Sequence, residues 1–537
     1  MQKRIQPLRY TDFVFLALCT LSPVLHAQTT RDLDQACSAI SEVSLQQTRI
    51  TRAEAIQVSG AHTVAGTENG LGLTAPVEVH RSFCRVVGVV DPAINFEVWM
   101  PLENWNGRFR GVGLGAFYGK LPYAVMAEAL DDGYAVGGTD TGHRSEAFDG
   151  TWAMRNGELD QGVVEDWAHR GIHEMTVKSQ AIVAKLYSRP AQYSYFTGCS
   201  SGGFQAMTEA QRYPDDYDGI LAGAPANFIT HLQAAQISFG LATQVDPTTS
   251  LLKPINKLPA LHEAVLATCD ALDGAEDGLI ENPAVCPFDP QQLACTGADS
   301  QSCLTPPQVQ AVQRIYADIL RSDGTKIFPG FPKGSESNWH LMAAGYLDSG
   351  GQVEFAESLY RYFVFQDPDW DYATMDLERD VAYADRHVGE ILNSNDPDLR
   401  PFRDRGGKLI QYHGWADWGI TPYNSIDYFN AVTETVGGSL SEEARAEVQD
   451  FHRLFLMPGV SHCRGGAGPD TFDGLGALEA WVERGEAPEQ ITAAKLADGE
   501  VVRTRPLCPY PEVARYNGSG SIDDADNFTC VSADESQ

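Results

Sequence analysis

Tyr193-Ser194-Tyr195-Phe196-Thr197-Gly198-Cys199-Ser200-Ser201-Gly202-Gly203 is the stretch that decides the fold. Its first five residues are rich in aromatic and β-branched side chains, which predicts a short strand, and the residues from 201 to 212 read as a helix. Between them, Gly198-Cys199-Ser200-Ser201-Gly202 fits G-x-S-x-G. Small residues there permit a sharp strand-to-helix turn that lifts a serine oxygen clear of the backbone. The same pattern also describes an ordinary glycine-rich turn, so the meaning of Ser200 depends on the rest of the chain.

Towards the N-terminus, strand-like runs fall at 85–90, 96–100, 108–112 and 134–137, and residues 171–187 carry the apolar spacing of an amphipathic helix. Towards the C-terminus, 219–225, 408–414 and 453–459 each read as a strand running into a polar loop. Strands alternating with helices predict an α/β protein, in which ligands gather at the carboxyl ends of the strands. The stretch from 227 to 402 breaks the pattern with turns, aromatic loops and four cysteines, and reads as an inserted lid. The expected organisation is a catalytic domain in two parts, 28–226 and 403–537, around a lid at 227–402.

A serine hydroxyl attacks only if a base takes its proton, and the base needs a carboxylate to orient it. Asp417, in Gly414-Trp415-Ala416-Asp417, follows one strand, and His462, in Gly459-Val460-Ser461-His462-Cys463, follows the next. The order Ser, Asp, His is that of the α/β-hydrolase fold, which with a large inserted lid domain becomes the expected fold class. The competing histidines His143, His169, His173, His413 and His452 lie before the nucleophile turn or within predicted helix and strand. Two backbone N–H groups must face the developing oxyanion. Ser201 is expected to supply one, and the loop Gly111-Val112-Gly113-Leu114-Gly115 the other, with Gly113 preferred to Gly115.

Cys199 and Cys463 adjoin Ser200 and His462, so assembly of the triad would bring their Cα atoms within disulfide range. A second constellation, Cys269-Asp270-Ala271-Leu272-Asp273-Gly274-Ala275-Glu276-Asp277-Gly278-Leu279-Ile280, offers closely spaced carboxylates on a glycine-rich turn. That suits hard Ca²⁺, although a solvated acidic turn has the same composition, and the spacing is not that of an EF-hand. A bridge between Cys269 and Cys286 would close this loop.

Together these residues resemble the tannase and feruloyl esterase family, whose signature joins Cys-Ser, Asp and His-Cys: here Cys199-Ser200, Asp417 and His462-Cys463. The likeness extends to Tyr412-His413-Gly414-Trp415-Ala416-Asp417, to Arg453-Leu454-Phe455-Leu456-Met457-Pro458-Gly459, to Asp367-Pro368-Asp369-Trp370-Asp371, and to Arg505-Pro506-Leu507-Cys508-Pro509-Tyr510-Pro511. The resemblance implies hydrolysis of esters of aromatic acids and a structural calcium in the lid. Its ligands would be the side chains of Asp270, Asp273 and Asp277 and the backbone oxygens of Ala275 and Leu279. It also implies the pairs Cys37–Cys84, Cys269–Cys286, Cys295–Cys303 and Cys508–Cys530 beside Cys199–Cys463. One departure is Phe204, where relatives often carry arginine, which puts local pocket shape in doubt. Within the family, feruloyl esters, galloyl esters and a terephthalate monoester are the competing substrates. In the lid, Tyr360, Tyr362, Phe363, Phe365 and Trp370 serve either as aromatic contacts or as lid core.

The first residues carry Lys3, Arg4 and Arg9, then an apolar run at 13–21 and Leu25-His26-Ala27, the layout of a signal peptide covering 1–27. The run is about half the ~20 residues a membrane span needs. Of the 11 cysteines Cys19 falls in this leader, and the even remainder suits disulfides in a secreted or periplasmic protein. The formal charge of −33 disfavours nucleic acid and anionic membranes as partners. The expected partner is a small aromatic ester, free or attached to plant polysaccharide or polyphenol. No organic cofactor is expected. Outside this class stands a catalytically silent carbohydrate- or calcium-binding protein on the same scaffold, against which the intact Ser200, Asp417 and His462 argue.

Overall fold

The computed structural model describes residues 30–65, 75–244, 250–252, 255–342 and 352–533. The leader expected at 1–27 lies outside them. Nine strands form the central sheet: β1 (Thr48–Ile56), β2 (Phe83–Val90), β3 (Ile94–Pro101), β4 (Arg108–Val112), β5 (Ala135–Thr139), β6 (Tyr193–Cys199), β7 (Gly219–Gly223), β8 (Lys408–Gly414) and β9 (His452–Met457). Their spatial order is β1-β2-β3-β5-β4-β6-β7-β8-β9. From β5 through β9 every neighbouring pair is parallel, whereas β1, β2, β3 and β5 pair antiparallel. All five parallel pairings bring strand C-termini to one edge, and there the loops carrying Ser200, Asp417 and His462 emerge.

The helices that position the site are α1 (Thr30–Ala39), α2 (Tyr123–Asp131), α3 (Gly171–Tyr187), α4 (Ser201–Arg212), α5 (Ile229–Gln244), α6 (Gln352–Leu359), α7 (Tyr423–Gly437) and α8 (Gly474–Arg484). Alternate strand residues feed two cores, as a pleat of period two requires. Phe196, Leu409 and Leu454 pack with Met175 of α3, Met207 of α4 and Phe429 of α7. Their chain neighbours Tyr195, Ile410 and Phe455 face the other way, against Met126 of α2 and Trp481 of α8. The result is the expected α/β-hydrolase sandwich, a sheet covered on both faces.

Residues between β7 and β8 build a third core that does not belong to them alone. Phe355, Phe363 and Leu359 of the insertion share it with Phe117, Trp167 and Phe204 of the preceding part of the chain. Phe117 stacks on Phe363 with centroids 5.1 Å apart, and Trp152 meets Phe363 edge-on at the same separation. The insertion is therefore seated on the sheet domain through aromatic rings contributed by both. The five expected disulfides are all formed: Cys37–Cys84, Cys199–Cys463, Cys269–Cys286, Cys295–Cys303 and Cys508–Cys530. Among the described residues no helix is long and apolar enough to cross a membrane.

Candidate active site

β6 ends at Cys199 and α4 begins at Ser201, so Ser200 occupies the turn alone, at φ 65° and ψ −122°. A non-glycine residue there is strained, and the surroundings hold it in place. The Ser200 N–H donates to the Gly223 carbonyl at the end of β7 (3.0 Å), and the N–H groups of Phe204 and Ala226 donate to its own carbonyl. Gly198 is required, because a Cβ there would stand 2.3 Å from the Gly202 carbonyl oxygen.

Asp417 sits on the loop after β8, wholly buried, with four donors on one carboxylate. Oδ1 accepts the N–H groups of Gly419 (2.7 Å) and Ile420 (3.0 Å), and Oδ2 accepts His462 Nδ1 (2.8 Å) and His413 Nε2 (3.1 Å). Burial alone would raise the Asp417 carboxyl, but the charge of His462 and the hydrogen bonds from His413 and His462 outweigh it and hold the group well below the usual carboxylate range. For His462 burial pulls the imidazole down, and the charge and hydrogen bond of Asp417 more than reverse this, leaving it above its ordinary value. With Nδ1 bound to Asp417, Nε2 is the nitrogen left to act as a base. The His462 side chain keeps 21% of its surface exposed and lines the same cavity as Ser200.

His413 is the residue that sequence reasoning misplaced, having counted it only as a competitor of His462. It is completely buried, and Nε2 lies near two acceptors, Asp417 Oδ2 and the Ile420 carbonyl (2.9 Å). Nε2 therefore carries the proton, and Nδ1 accepts from the Ser425 hydroxyl (2.7 Å). The available signal was its place four residues before Asp417, at the end of the same strand. The other competitors are engaged elsewhere: His143 stacks on Trp152, His169 pairs with Tyr213, His173 with Asp216 and His452 with Gln411. Burial pushes His143 and His169 down to about 4 and His452 to about 3, so each stays neutral near pH 7.

The disulfide between Cys199 and Cys463, with Cα atoms 6.0 Å apart, joins the neighbour of Ser200 to the neighbour of His462. It closes 264 residues of separation, a constraint on the unfolded chain of about 5.6 kcal/mol in the chain-entropy treatment.

The cavity over Ser200 measures about 320 Å³, enough for a substituted aromatic acid. Its walls include Gly115, Tyr118, Phe148, Leu232, Gln233, Gln352, Phe355 and Trp418, together with Ser201. Ser201 opens α4, where backbone N–H groups lack intrahelical acceptors and the helix dipole favours negative charge. The expectation for Gly113 is corrected: its N–H donates to the Thr197 carbonyl (2.9 Å), extending the β4–β6 ladder, and the next amide, of Leu114, donates to Gln205 Oε1. Gly115 is the residue of this loop that reaches the cavity.

Two further expectations are resolved by packing. Phe204 does not line the cavity but stacks on Trp167 beneath the elbow, with centroids 5.6 Å apart. Of the lid aromatics, Tyr360 and Phe363 are fully buried in the lid core, and Phe365 and Trp370 pack on Tyr360, so the rings at the cavity come from other residues.

The acidic turn lies away from the cavity. Asp270 receives the N–H groups of Asp277 and Gly278, Asp273 that of Ala275, and Asp277 that of Leu279. Arg505 Nη2 bonds the second oxygen of Asp277, and Glu281 accepts from the Ala514 N–H. Burial raises Asp277, pushes Asp273 up to about 6 and pushes Glu281 up to about 8. When ionised, four carboxylates (Asp270, Asp273, Asp277, Glu281) face two guanidiniums (Arg503, Arg505), an excess of two negative charges. Carboxylate oxygens hold lone pairs beyond these bonds, a chemistry that suits a hard cation, but no three of these carboxylates bring an oxygen each to within 4.8 Å of one another. Leu279 also touches the histidine loop: a Cβ on Gly459 would stand 2.4 Å from its side chain.

Comparisons with known proteins place the chain in a family. A family model described as tannase and feruloyl esterase matches residues 77–531. An uncharacterised esterase of Xanthomonas campestris is 35% identical over 561 residues, covering 96% of this chain and 94% of its own. The mono(2-hydroxyethyl) terephthalate hydrolase of Piscinibacter sakaiensis is 33% identical over 566 residues, covering 92% of this chain and 91% of its own. The crystal structure of feruloyl esterase B from Aspergillus oryzae superposes with a TM-score of 0.83 at 30% identity, covering 93% of this chain and all of that one.

Proposed function

Because the chain belongs to the tannase and feruloyl esterase family and is a carboxylic ester hydrolase, we propose that it cleaves esters of hydroxylated aromatic acids through an acyl-enzyme on Ser200. The observation that carries this reading is the bond from His462 Nδ1 to the buried Asp417, on a residue that shares an aromatic-walled cavity with Ser200. His462 Nε2 takes the Ser200 proton as the oxygen attacks the ester carbonyl. The amides of Ser201 and Gly115 hold the oxyanion, and His462 returns the proton to the leaving alcohol. Water, activated by the same imidazole, then releases the acid and restores the serine.

The acyl group lies among Phe148, Leu232, Phe355 and Trp418, and the neutral polar groups this wall offers include the amides of Gln233 and Gln352 and the hydroxyl of Tyr118. Neutral amides suit the hydroxyls of hydroxycinnamoyl or galloyl groups better than the free carboxylate of a terephthalate monoester, which calls for a cation. The alcohol half faces the open side, which accommodates plant polysaccharide or polyphenol. Initial rates on methyl ferulate, methyl gallate and mono(2-hydroxyethyl) terephthalate test the reading. The expected order puts ferulate first, and a wide preference for the terephthalate ester overturns it.

Two structural elements complete the proposal. Calcium would be held by the side chains of Asp270, Asp273 and Asp277 and the carbonyls of Ala275 and Leu279 once these carboxylates draw together, and it would balance their charge in the turn whose Leu279 touches the His462 loop. The leader 1–27 directs export past the membrane, a reading that five disulfides in the described chain support. Calorimetric titration with Ca²⁺ tests the first point, with one bound ion and a raised melting temperature expected. N-terminal sequencing of the exported protein tests the second, with Gln28 expected first.

A further inference from the structure

Gln233 stands out among the residues around Ser200. It lies on α5, is 1% exposed, lines the cavity, and its Oε1 has no hydrogen-bond partner among the described residues. Buried polar atoms are nearly always paired, so an orphaned acceptor beside a catalytic serine asks for a donor from outside the protein. One turn further along α5, Gln236 Nε2 donates to the Gly419 carbonyl, and the Gly419 N–H donates to Asp417. The helix that carries Gln233 is thus tied to the triad carboxylate, which fixes the distance between this amide and the reacting centre.

We infer that Gln233 is the specificity residue that recognises a hydroxyl on the aromatic ring of the acyl group, with the phenolic O–H donating to Oε1. The inference rests on the aromatic-ester reading above and deepens it. The chemistry selects a neutral donor. A methyl ether at the same ring position carries only acceptor lone pairs, and an ionised carboxylate likewise, so either would set oxygen against oxygen. Phe148, Leu232, Phe355 and Trp418 supply the apolar wall for the ring itself, and Gln233 supplies the polar contact that distinguishes one substituted ring from another. A site built to pair with a substrate hydroxyl penalises the analogue that lacks it, because the buried partner is left unpaired.

The test uses full-length Ser200→Ala protein, which binds esters without turning them over, and calorimetry with four ligands: methyl 4-hydroxycinnamate, methyl 3-hydroxycinnamate and the O-methyl ether of each. At least one phenol is expected to bind about tenfold more tightly than its ether. In Ser200→Ala with Gln233→Leu, and in a second variant with the better shape match Gln233→Met, that ratio is expected to fall to within about twofold. Thermal melting shows which variants are folded. Phenol and ether binding equally to Ser200→Ala, or a ratio that survives in a folded Gln233 variant, overturns the inference. The two readings fail separately. Wild-type protein that cleaves these esters without regard to the ring hydroxyl loses this inference and keeps the esterase reading. Protein that binds phenols through Gln233 but hydrolyses none of their esters does the reverse.

Discussion

The loops after β6, β8 and β9 and the insertion between β7 and β8 are built on opposite plans. At the strand ends each critical residue is placed by its immediate backbone: Ser200 by Gly223 on the adjoining strand, and Asp417 by the amides of Gly419 and Ile420. The insertion is placed by side chains from distant parts of the chain, Phe117, Trp152 and Trp167 closing on Phe355 and Phe363. The first plan gives fixed geometry with little apolar burial. The second gives a large shared core in which the rings that do not line the cavity need not stand at a given distance from Ser200. Catalysis should therefore be sensitive at the strand ends and at the cavity wall and tolerant in the buried core of the insertion, whereas stability should be sensitive in that core.

The largest expected effect is that of Asp417→Asn. Loss of the carboxylate leaves His462 in the wrong tautomer, and kcat should fall about 10⁴-fold. In the wild type only neutral imidazole accepts the serine proton, so kcat/KM should rise with pH through the His462 pKa, which Asp417 holds above its ordinary value. In Asp417→Asn that limb should move to lower pH. Next comes the disulfide: Cys199→Ala with Cys463→Ala frees the nucleophile turn from the base loop, and an ångström of drift should cost roughly 10² in kcat/KM. Unchanged kinetics in a folded double variant would mean that the turns alone hold the triad.

His413→Leu is a finer probe of the same region. One of four donors to Asp417 is lost, so kcat should drop roughly tenfold, and a less neutralised carboxylate should carry the acid limb of kcat/KM to higher pH. A drop in kcat with an unmoved limb would make His413 a packing residue only. The smallest kinetic effect is expected from Phe363→Ala, which empties a fully buried ring from the lid core. Unfolding should become easier by about 3–5 kcal/mol, with kcat within twofold of wild type. A collapse of kcat in folded protein would break the contrast between the two regions.

The same contrast explains what could be read from sequence. The strands at 108–112 and 408–414 and the helix at 171–187 match their structural bounds because local pattern decides them. β1 is not legible in the sequence: Thr48–Ile56 is an edge strand carrying exposed Arg49 and Arg52, and its pairing with β2 is a tertiary fact. Gly113 and Gly115 are indistinguishable as letters, and only the extension of the β4–β6 ladder shows which amide is spent. His413 read as one histidine among several because a shared carboxylate is visible only once β8 and its loop fold together. In the lid the aromatic run at 360–365 announced a hydrophobic cluster. Which cluster depended on Phe117, Trp152 and Trp167, too far away in sequence for any periodicity to reveal.

The central claim is that Ser200 carries the acyl group during turnover. Wild-type protein mixed with excess methyl ferulate and quenched in acid within milliseconds should show, by intact-protein and peptide mass spectrometry, a feruloyl adduct on the peptide containing Ser200. The adduct should be absent from Ser200→Ala. An adduct on another residue, or one that persists in Ser200→Ala, would contradict the account.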